Sequence, residues 1–369
     1  MDDARTQPKR VTWAELFFDL VFVFAVTQVS ALLHHDHSWA GAGRALVVFV
    51  PVYWAWVGMS VHADTRDVDN PLDRIGIFGV GLCALFMALA TPLAYAERGL
   101  LFGASYYAAR LLLAVLIFRG GRMALSPFSV AIVVSGPLLV AGGLADGGLR
   151  TGLWALAAAV DLLTPRLLRS RLTGLRFDAD HMPERFGLFL LIALGESVVA
   201  TGAAAASADR LGADVLGAVA ASFVLVCALW WVYYHFAADA VRHALETAEV
   251  QTDIVRQVLS YGHLAFIAGV VALAGGLAEV VGHPGDHLHP GTAGLLFGGC
   301  ALYLTTFGYT RWRMFRKMSW TRVAAGLVVL ALLPAAPLVP ALAALVLVAA
   351  VAVALNAVEF AVVRRRGGL

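Results

Sequence analysis

Long apolar runs separated by short polar breaks occupy the chain from about residue 13 to residue 362. A helix needs about 20 apolar residues to cross a ~30 Å hydrocarbon core. Runs of that kind predict twelve spans, at about 13–33, 41–62, 73–95, 100–118, 126–145, 150–166, 185–205, 212–236, 256–281, 292–310, 322–338 and 340–362. Pro334, Pro337 and Pro340 separate the last two, where the pattern allows a loop or a broken helix, and a count of ten or eleven stays open. Composition agrees with this reading. Of 369 residues, 60% are hydrophobic and 14% charged, with a mean hydropathy of +0.79, too little polar surface to coat a soluble globule. The net charge of +2 gives no basic field of the sort that binds nucleic acid. Cys83, Cys227 and Cys300 lie far apart in apolar runs, suiting neither a disulfide framework nor a zinc site, and read as buried thiols. The first run is interrupted by acids and is followed by no small-residue cleavage pattern, so it reads as a retained span.

The distribution of positive charge sets an orientation. On the amino-terminal side of the predicted spans fall Arg5, Lys9, Arg10, Arg66, Arg74, Arg119, Arg122, a group from Arg166 to Arg185, Arg242, Arg256, a second group from Arg311 to Arg322, and Arg364 to Arg366. The other side has little beyond Arg98, Arg150 and Arg210. The positive-inside rule then places both termini in the cytoplasm. Pairs at near-constant separation suggest duplication: Tyr107 and Tyr303 are 196 apart, Pro137 and Pro334 197, and Asp161 and Glu359 198. The expected organisation is an all-α membrane protein of two parallel six-helix repeats, 13–166 and 185–362, joined by a basic linker at 167–184. A cytoplasmic segment at 1–12 and a basic tail at 363–369 flank them.

Candidate chemistry comes from polar residues inside these runs. The stretch WAELFFDLVFVFAVTQVS, residues 13–30, carries Glu15 and Asp19 four apart and hence on one helix face. A charge near the bilayer centre costs about 2.5–3.5 kcal/mol on insertion scales, so such acids face protein or trapped water. In 183–202, PERFGLFLLIALGESVVATG, the triplet Gly195, Glu196 and Ser197 puts a carboxylate in mid-span beside small residues that admit a neighbouring helix.

These two stretches resemble the most characteristic segments of the bacterial low-temperature-requirement protein A family of multipass membrane proteins, and the similarity in length and hydropathy covers essentially the whole chain. The resemblance singles out Glu15, Phe17, Phe18, Asp19, Glu184, Arg185, Gly195, Glu196 and Ser197 and implies no role, reaction or substrate for them.

Other embedded groups read either as helix-to-helix ties or as parts of a pathway. Arg110, halfway along the fourth span, needs a carboxylate from another span, with Glu15, Asp19 and Glu196 the obvious partners. Asp161 and Glu359 lie within reach of Arg166 and Arg364 at span edges. His235 and Asp239 stand four apart below the aromatic group Trp230, Trp231, Tyr233 and Tyr234, and His263 lies in the ninth span. The series Arg242, His243, Glu246, Glu249, Asp253 and Arg256 reads as a solvated helix laced by weak pairs. Two loops are rich in histidine, His34-His35-Asp36-His37 and His283 to His289, and either could bind a metal weakly. Gly294 and Gly298 read as packing positions.

The favoured expectation is a secondary transporter or solute permease using Glu15, Asp19, Arg110, Glu196, Ser197, His235, Asp239 and His263. Membrane lipids, a small solute and protons are its partners, with no cofactor and no catalytic residue assigned. The alternatives are an intramembrane lipid-modifying enzyme, with His235, His263 or a carboxylate as general acid or base, and a structural or sensory membrane protein linked to cold growth.

Overall fold

The apolar runs are helical in the computed structural model, which describes residues 9–36, 38–66, 68, 70–119, 121, 123–235 and 237–365. Arg5, His37, Arg122 and Arg366 lie outside the described residues, as do the side chains of His34 and His35. The helices are α1 Trp13–His35, α2 Trp39–Thr65, α3 Pro71–Ala90, α4 Gly99–Phe118, α5 Pro127–Val130, α6 Gly136–Leu144, α7 Gly147–Leu167, α8 Arg169–Leu172 and α9 His181–Ala206. They continue as α10 Ala213–Tyr234, α11 Ala238–Thr247, α12 Gln251–Ile254, α13 Tyr261–Gly282, α14 Pro290–Phe315, α15 Trp320–Leu332 and α16 Ala341–Arg365. Wide π-type turns at Ala131–Ser135 and Val255–Ser260 lead into α6 and α13. Among the described residues there is no strand, only an isolated bridge between His287 and Pro340.

Helix starts follow from local chemistry. Asn70 accepts the Asp73 N–H at 3.0 Å ahead of Pro71, and Ser126 and Ser129 form a reciprocal capping box around Pro127. His289, from the second histidine-rich loop, caps α14 by accepting the Gly291 N–H at 3.1 Å ahead of Pro290. That use of the ring is structural. Among the described residues no group of three or more His, Cys, Asp or Glu side chains is placed to hold a metal ion.

By length and composition, 10 described stretches are able to cross a membrane. Two further helices, α7 with 21 residues and α14 with 26, have the length but are richer in polar residues. Large apolar side chains on these helices face outward in number, among them Phe17, Val115, Leu163 and Val199, as expected of surfaces solvated by lipid. Cys227 is on such an outward face, contrary to the expected burial: an apolar helix in lipid has no need to hide a thiol.

The chain divides into two compact units. The first is formed by the described residues of Met1–Val29, Gly43–Phe189 and Arg242–Arg256, and the second by Ser30–Ala42, Leu190–Val241 and Gln257–Leu369. Within the first, α4 packs against both α3 and α6, and α6 against α7. Within the second, α13 packs against α14, α14 against α15, and α10 against α16. The α13–α14 crossing depends on glycine. A methyl group on Gly299 would sit 2.7 Å from the Gly269 carbonyl oxygen, and one on Gly269 would sit 2.8 Å from the Gly299 carbonyl oxygen. Gly294 and Gly298, the expected packing positions, have open space instead, because they fall on the other face of α14. Gly299→Val is therefore expected to push the two backbones apart at a cost of about 1–3 kcal/mol or more, read as lower thermal stability in detergent, while Gly294→Ala is neutral.

The charge series from Arg242 to Arg256 is laced by pairs as expected, but it is split between α11 and α12 and is solvated only in part: Arg242 and Glu246 are exposed, whereas Arg256 is buried. Arg242 lies 2.8 Å from Asp180 and 3.1 Å from Glu246, and Asp253 pairs with Arg169 and, at 2.7 Å, with Arg256. Solvated pairs of this type contribute about 0–1 kcal/mol each.

Candidate functional site

In α1 both carboxylates face inward among apolar side chains, and the outward face is apolar. Glu15, Phe18, Asp19, Phe22 and Val26 are buried at helical spacing, whereas Trp13, Phe17, Leu20 and Phe24 are exposed. This inversion of the soluble pattern is what hydrocarbon imposes on carboxylates. Both acids are 0% exposed, so their partners must lie within the protein.

Those partners come from α2 and the first turns of α9, all in the first unit. His181 and Arg185 are four residues apart on α9 and share a face, as Glu15 and Asp19 do on α1. Glu15 Oε1 accepts from Arg185 Nη1 and lies 3.2 Å from His181 Nε2, and its Oε2 accepts the Thr12 backbone N–H and hydroxyl, each at 2.9 Å. The other ring nitrogen of His181, Nδ1, is 2.8 Å from Asp64 Oδ1, and Asp64 Oδ2 accepts the Asp178 N–H at 3.0 Å. Asp19 Oδ1 accepts from Trp56 Nε1 at 2.6 Å and from Arg185 Nη2 at 3.4 Å. Its Oδ2 is buried and has no hydrogen-bond partner among the described residues, and the same holds for Arg185 Nε. Aromatic rings wall the site: the Arg185 guanidinium lies 5.7 Å from the centre of Phe18 and 5.9 Å from that of Trp56, and Trp56 stacks on Phe189 at 4.1 Å.

The donor and acceptor inventory of this site has a chemical consequence. A neutral imidazole carries one N–H and one bare nitrogen, but both nitrogens of His181 face carboxylates. Either the ring is an imidazolium or one facing carboxyl group is protonated. The site therefore holds a proton in addition to the fixed charge of Arg185. Three carboxyl groups, Glu15, Asp19 and Asp64, stand against one arginine and one histidine, with all five side chains buried; the nearby Lys9 ammonium donates to the backbone carbonyls of Ala63, Asp64 and Arg66 instead of to a carboxylate of the site. An arrangement of this kind can bind, release and relay protons.

Arg110 belongs to a separate network of the same unit. It meets neither Glu15 nor Asp19: its carboxylate is Asp161 of α7, 3.4 Å from Nη2, and its Nε donates to the Tyr106 hydroxyl at 2.8 Å. Tyr106 in turn donates to Asp161 Oδ2, and Ser135, at the end of the π-type turn, donates to Oδ1 at 2.7 Å. Packing of α4 and α7 around the π-type turn brings Asp161 within reach of Arg110, so Asp161 is not left to pair with Arg166 at a span edge. Gly58 makes room, since a methyl there would sit 2.8 Å from Arg110 Nη1. Glu359 likewise pairs with Arg322 through two contacts of 2.8 Å, instead of with Arg364. In contrast to the first cluster, Arg110 and Asp161 balance each other in charge.

The remaining candidates fall in the second unit. Ser197 is buried, and its hydroxyl has no hydrogen-bond partner among the described residues. Glu196 is half-buried, and Gly195 has open space beside it, so this triplet does not admit a closely packed helix as expected. His235 and Asp239 do not share a helix face: α10 ends at Tyr234 and α11 begins at Ala238, and both side chains are exposed. His263 is buried, 2.7 Å from the Tyr233 hydroxyl.

Sequence reasoning overlooked His181 and Asp64 and counted Arg185 among the basic residues flanking the spans, although it is 0% exposed. The available signal was His181-x-x-x-Arg185 immediately before an apolar run, which places two cationic groups on one face as the helix enters.

A family model described as bacterial low temperature requirement A protein matches residues 10–357. An uncharacterised protein of Rhizobium meliloti (strain 1021) is 30% identical over 295 residues, covering 76% of this chain and 71% of that protein. No solved structure matches the chain.

Proposed function

The chain belongs to the bacterial low temperature requirement A protein (LtrA) family, and we propose that this multipass membrane protein is a proton-coupled secondary transporter, a permease for a small solute. The observation that carries this reading is His181 held between Glu15 and Asp64 in a buried site with three acids and one arginine. Charges balance when Arg185 offsets Glu15, an imidazolium at His181 offsets Asp64, and Asp19 carries a proton. On this reading the proton is on Oδ2, because Oδ1 already accepts from Trp56 and Arg185. Its departure leaves an uncompensated charge in a low-dielectric site, which costs several kcal/mol. Unloading is therefore tied to a rearrangement that brings in water or a cationic group, which is the energetic basis of coupling.

On this reading the membrane is the bacterial cytoplasmic membrane, with both termini inside, as the arginine distribution supports. The ten apolar stretches together with α7 and α14 make twelve spans in two parallel six-helix repeats. In support, the acids of the last long helix in each half, Asp161 and Glu359, are 198 residues apart in sequence and each meets a buried arginine, Arg110 from the fourth span of the first half and Arg322 from the fifth of the second.

Vesicles containing the protein, screened against amino acids, sugars and organic acids, are expected to take up one solute class in response to a pH gradient. Asp19→Asn imitates the protonated acid, so it should stay within about 1 kcal/mol of wild-type stability yet lose the gradient-driven component. Uptake no greater than in empty vesicles across the panel, or an undiminished gradient response in Asp19→Asn, would refute the assignment.

A further inference from the structure

A cavity of about 170 Å³ opens in the second unit, where the ends of α10, α13, α14 and α15 come together. Its lining includes two arginines, Arg311 and Arg322, and, among the described residues, no carboxylate. Arg322 is already neutralised by Glu359, through contacts of 2.8 Å, and lies 4.6 Å from the centre of the Phe307 ring. Arg311 is exposed and makes no ion pair among the described residues.

The other polar groups add no compensating charge. His263 Nδ1 lies 3.2 Å from the Val258 carbonyl oxygen of the π-type turn, which requires a proton on that nitrogen. Nε2 lies 2.7 Å from the Tyr233 hydroxyl, and neither group brings a negative charge to offset the arginines. Tyr233 and His263 are 2% and 1% exposed, so this pair forms a buried polar floor. Phe307 and Phe315 give the walls an apolar face. Such a lining repels cations through Arg311, and it gives a bare inorganic anion aromatic surface with which it makes no favourable contact.

We infer that this cavity binds an organic anion, a single carboxylate or phosphate head group on a short apolar body. Arg311 meets the head group, and Phe307 and Phe315 cover the body. A free organic acid and the head of an anionic lipid share this chemistry. The inference stands apart from the proton site, since none of its residues belongs to that cluster.

Calorimetric titration of the purified full-length protein in detergent tests it, with hexanoate, hexanol and inorganic phosphate as probes. Hexanoate is expected to bind about tenfold tighter than either of the others, and Arg311→Gln to weaken it about tenfold, the worth of one charge-assisted hydrogen bond. Ala240→Leu, which fills the cavity, should abolish binding, with thermal unfolding unchanged in both variants. Hexanol binding as tightly as hexanoate, or wild-type hexanoate affinity in Arg311→Gln, would overturn the inference. Mass spectrometry of co-purified lipid separates the sources. An anionic lipid retained by wild type and depleted from Arg311→Gln supports a bilayer ligand, and hexanoate binding without such a lipid supports a solute.

Discussion

Arg185→Met is expected to cost about 3–5 kcal/mol of stability, the range seen when one partner of a buried ion pair is removed. The guanidinium reaches Glu15 and Asp19 together, and neither acid is exposed to water. Methionine keeps the volume and the contact with Phe18 and Trp56 but leaves Glu15 with only Thr12 and His181 for its charge. The loss should appear as reduced folded yield in the membrane and earlier unfolding in detergent. Adding Glu15→Gln to Arg185→Met removes the stranded charge, so the double variant should recover about 2 kcal/mol. Recovery distinguishes an electrostatic cause from poor packing, which the second substitution would not repair.

The second large effect lies at Arg110. Arg110→Met strands Asp161, which keeps Tyr106 and Ser135 as donors but loses its counter-charge, and a cost of about 3–5 kcal/mol is again expected. Asp161→Asn should be comparably harmful because it leaves the buried guanidinium unbalanced. The two sites differ in how acids respond to neutralisation. Asp161 is its arginine's only carboxylate among the described residues, so no neutral version of it is harmless. Asp19 belongs to a site with three acids against one arginine and one histidine, so Asp19→Asn is expected to be tolerated. Unfolding measurements on Asp19→Asn and Asp161→Asn side by side check this contrast: equal destabilisation would remove the distinction between a structural tie and a proton site.

What the chain reveals before folding, and what it withholds, follows from the range of each interaction. The helices and the inward face of α1 were legible because Glu15 and Asp19 are four apart in an otherwise apolar run, and hydrocarbon allows such acids one orientation. The partners were not. Arg185 and His181 lie at the edge of a basic stretch, where charge density alone reads as solvated linker, and only the meeting of α1, α2 and α9 makes them central. Arg110 needed an acid, and the sequence supplied several at plausible depth. The choice of Asp161 rests on α4 and α7 closing around a π-type turn, a geometry that periodicity does not encode. His235 and Asp239 misled for the opposite reason, since a regular spacing continued across a helix end.

Infrared spectroscopy of the protein in lipid at neutral pH tests the proton surplus at the α1–α2–α9 cluster most directly. A proton on Asp19 gives a protonated-carboxyl band in the wild type that shifts on transfer to heavy water and is absent from Asp19→Asn. Superimposable carboxyl regions in the two proteins would mean that Asp19 is ionised in its buried setting, and the charge balance behind proton coupling would fail.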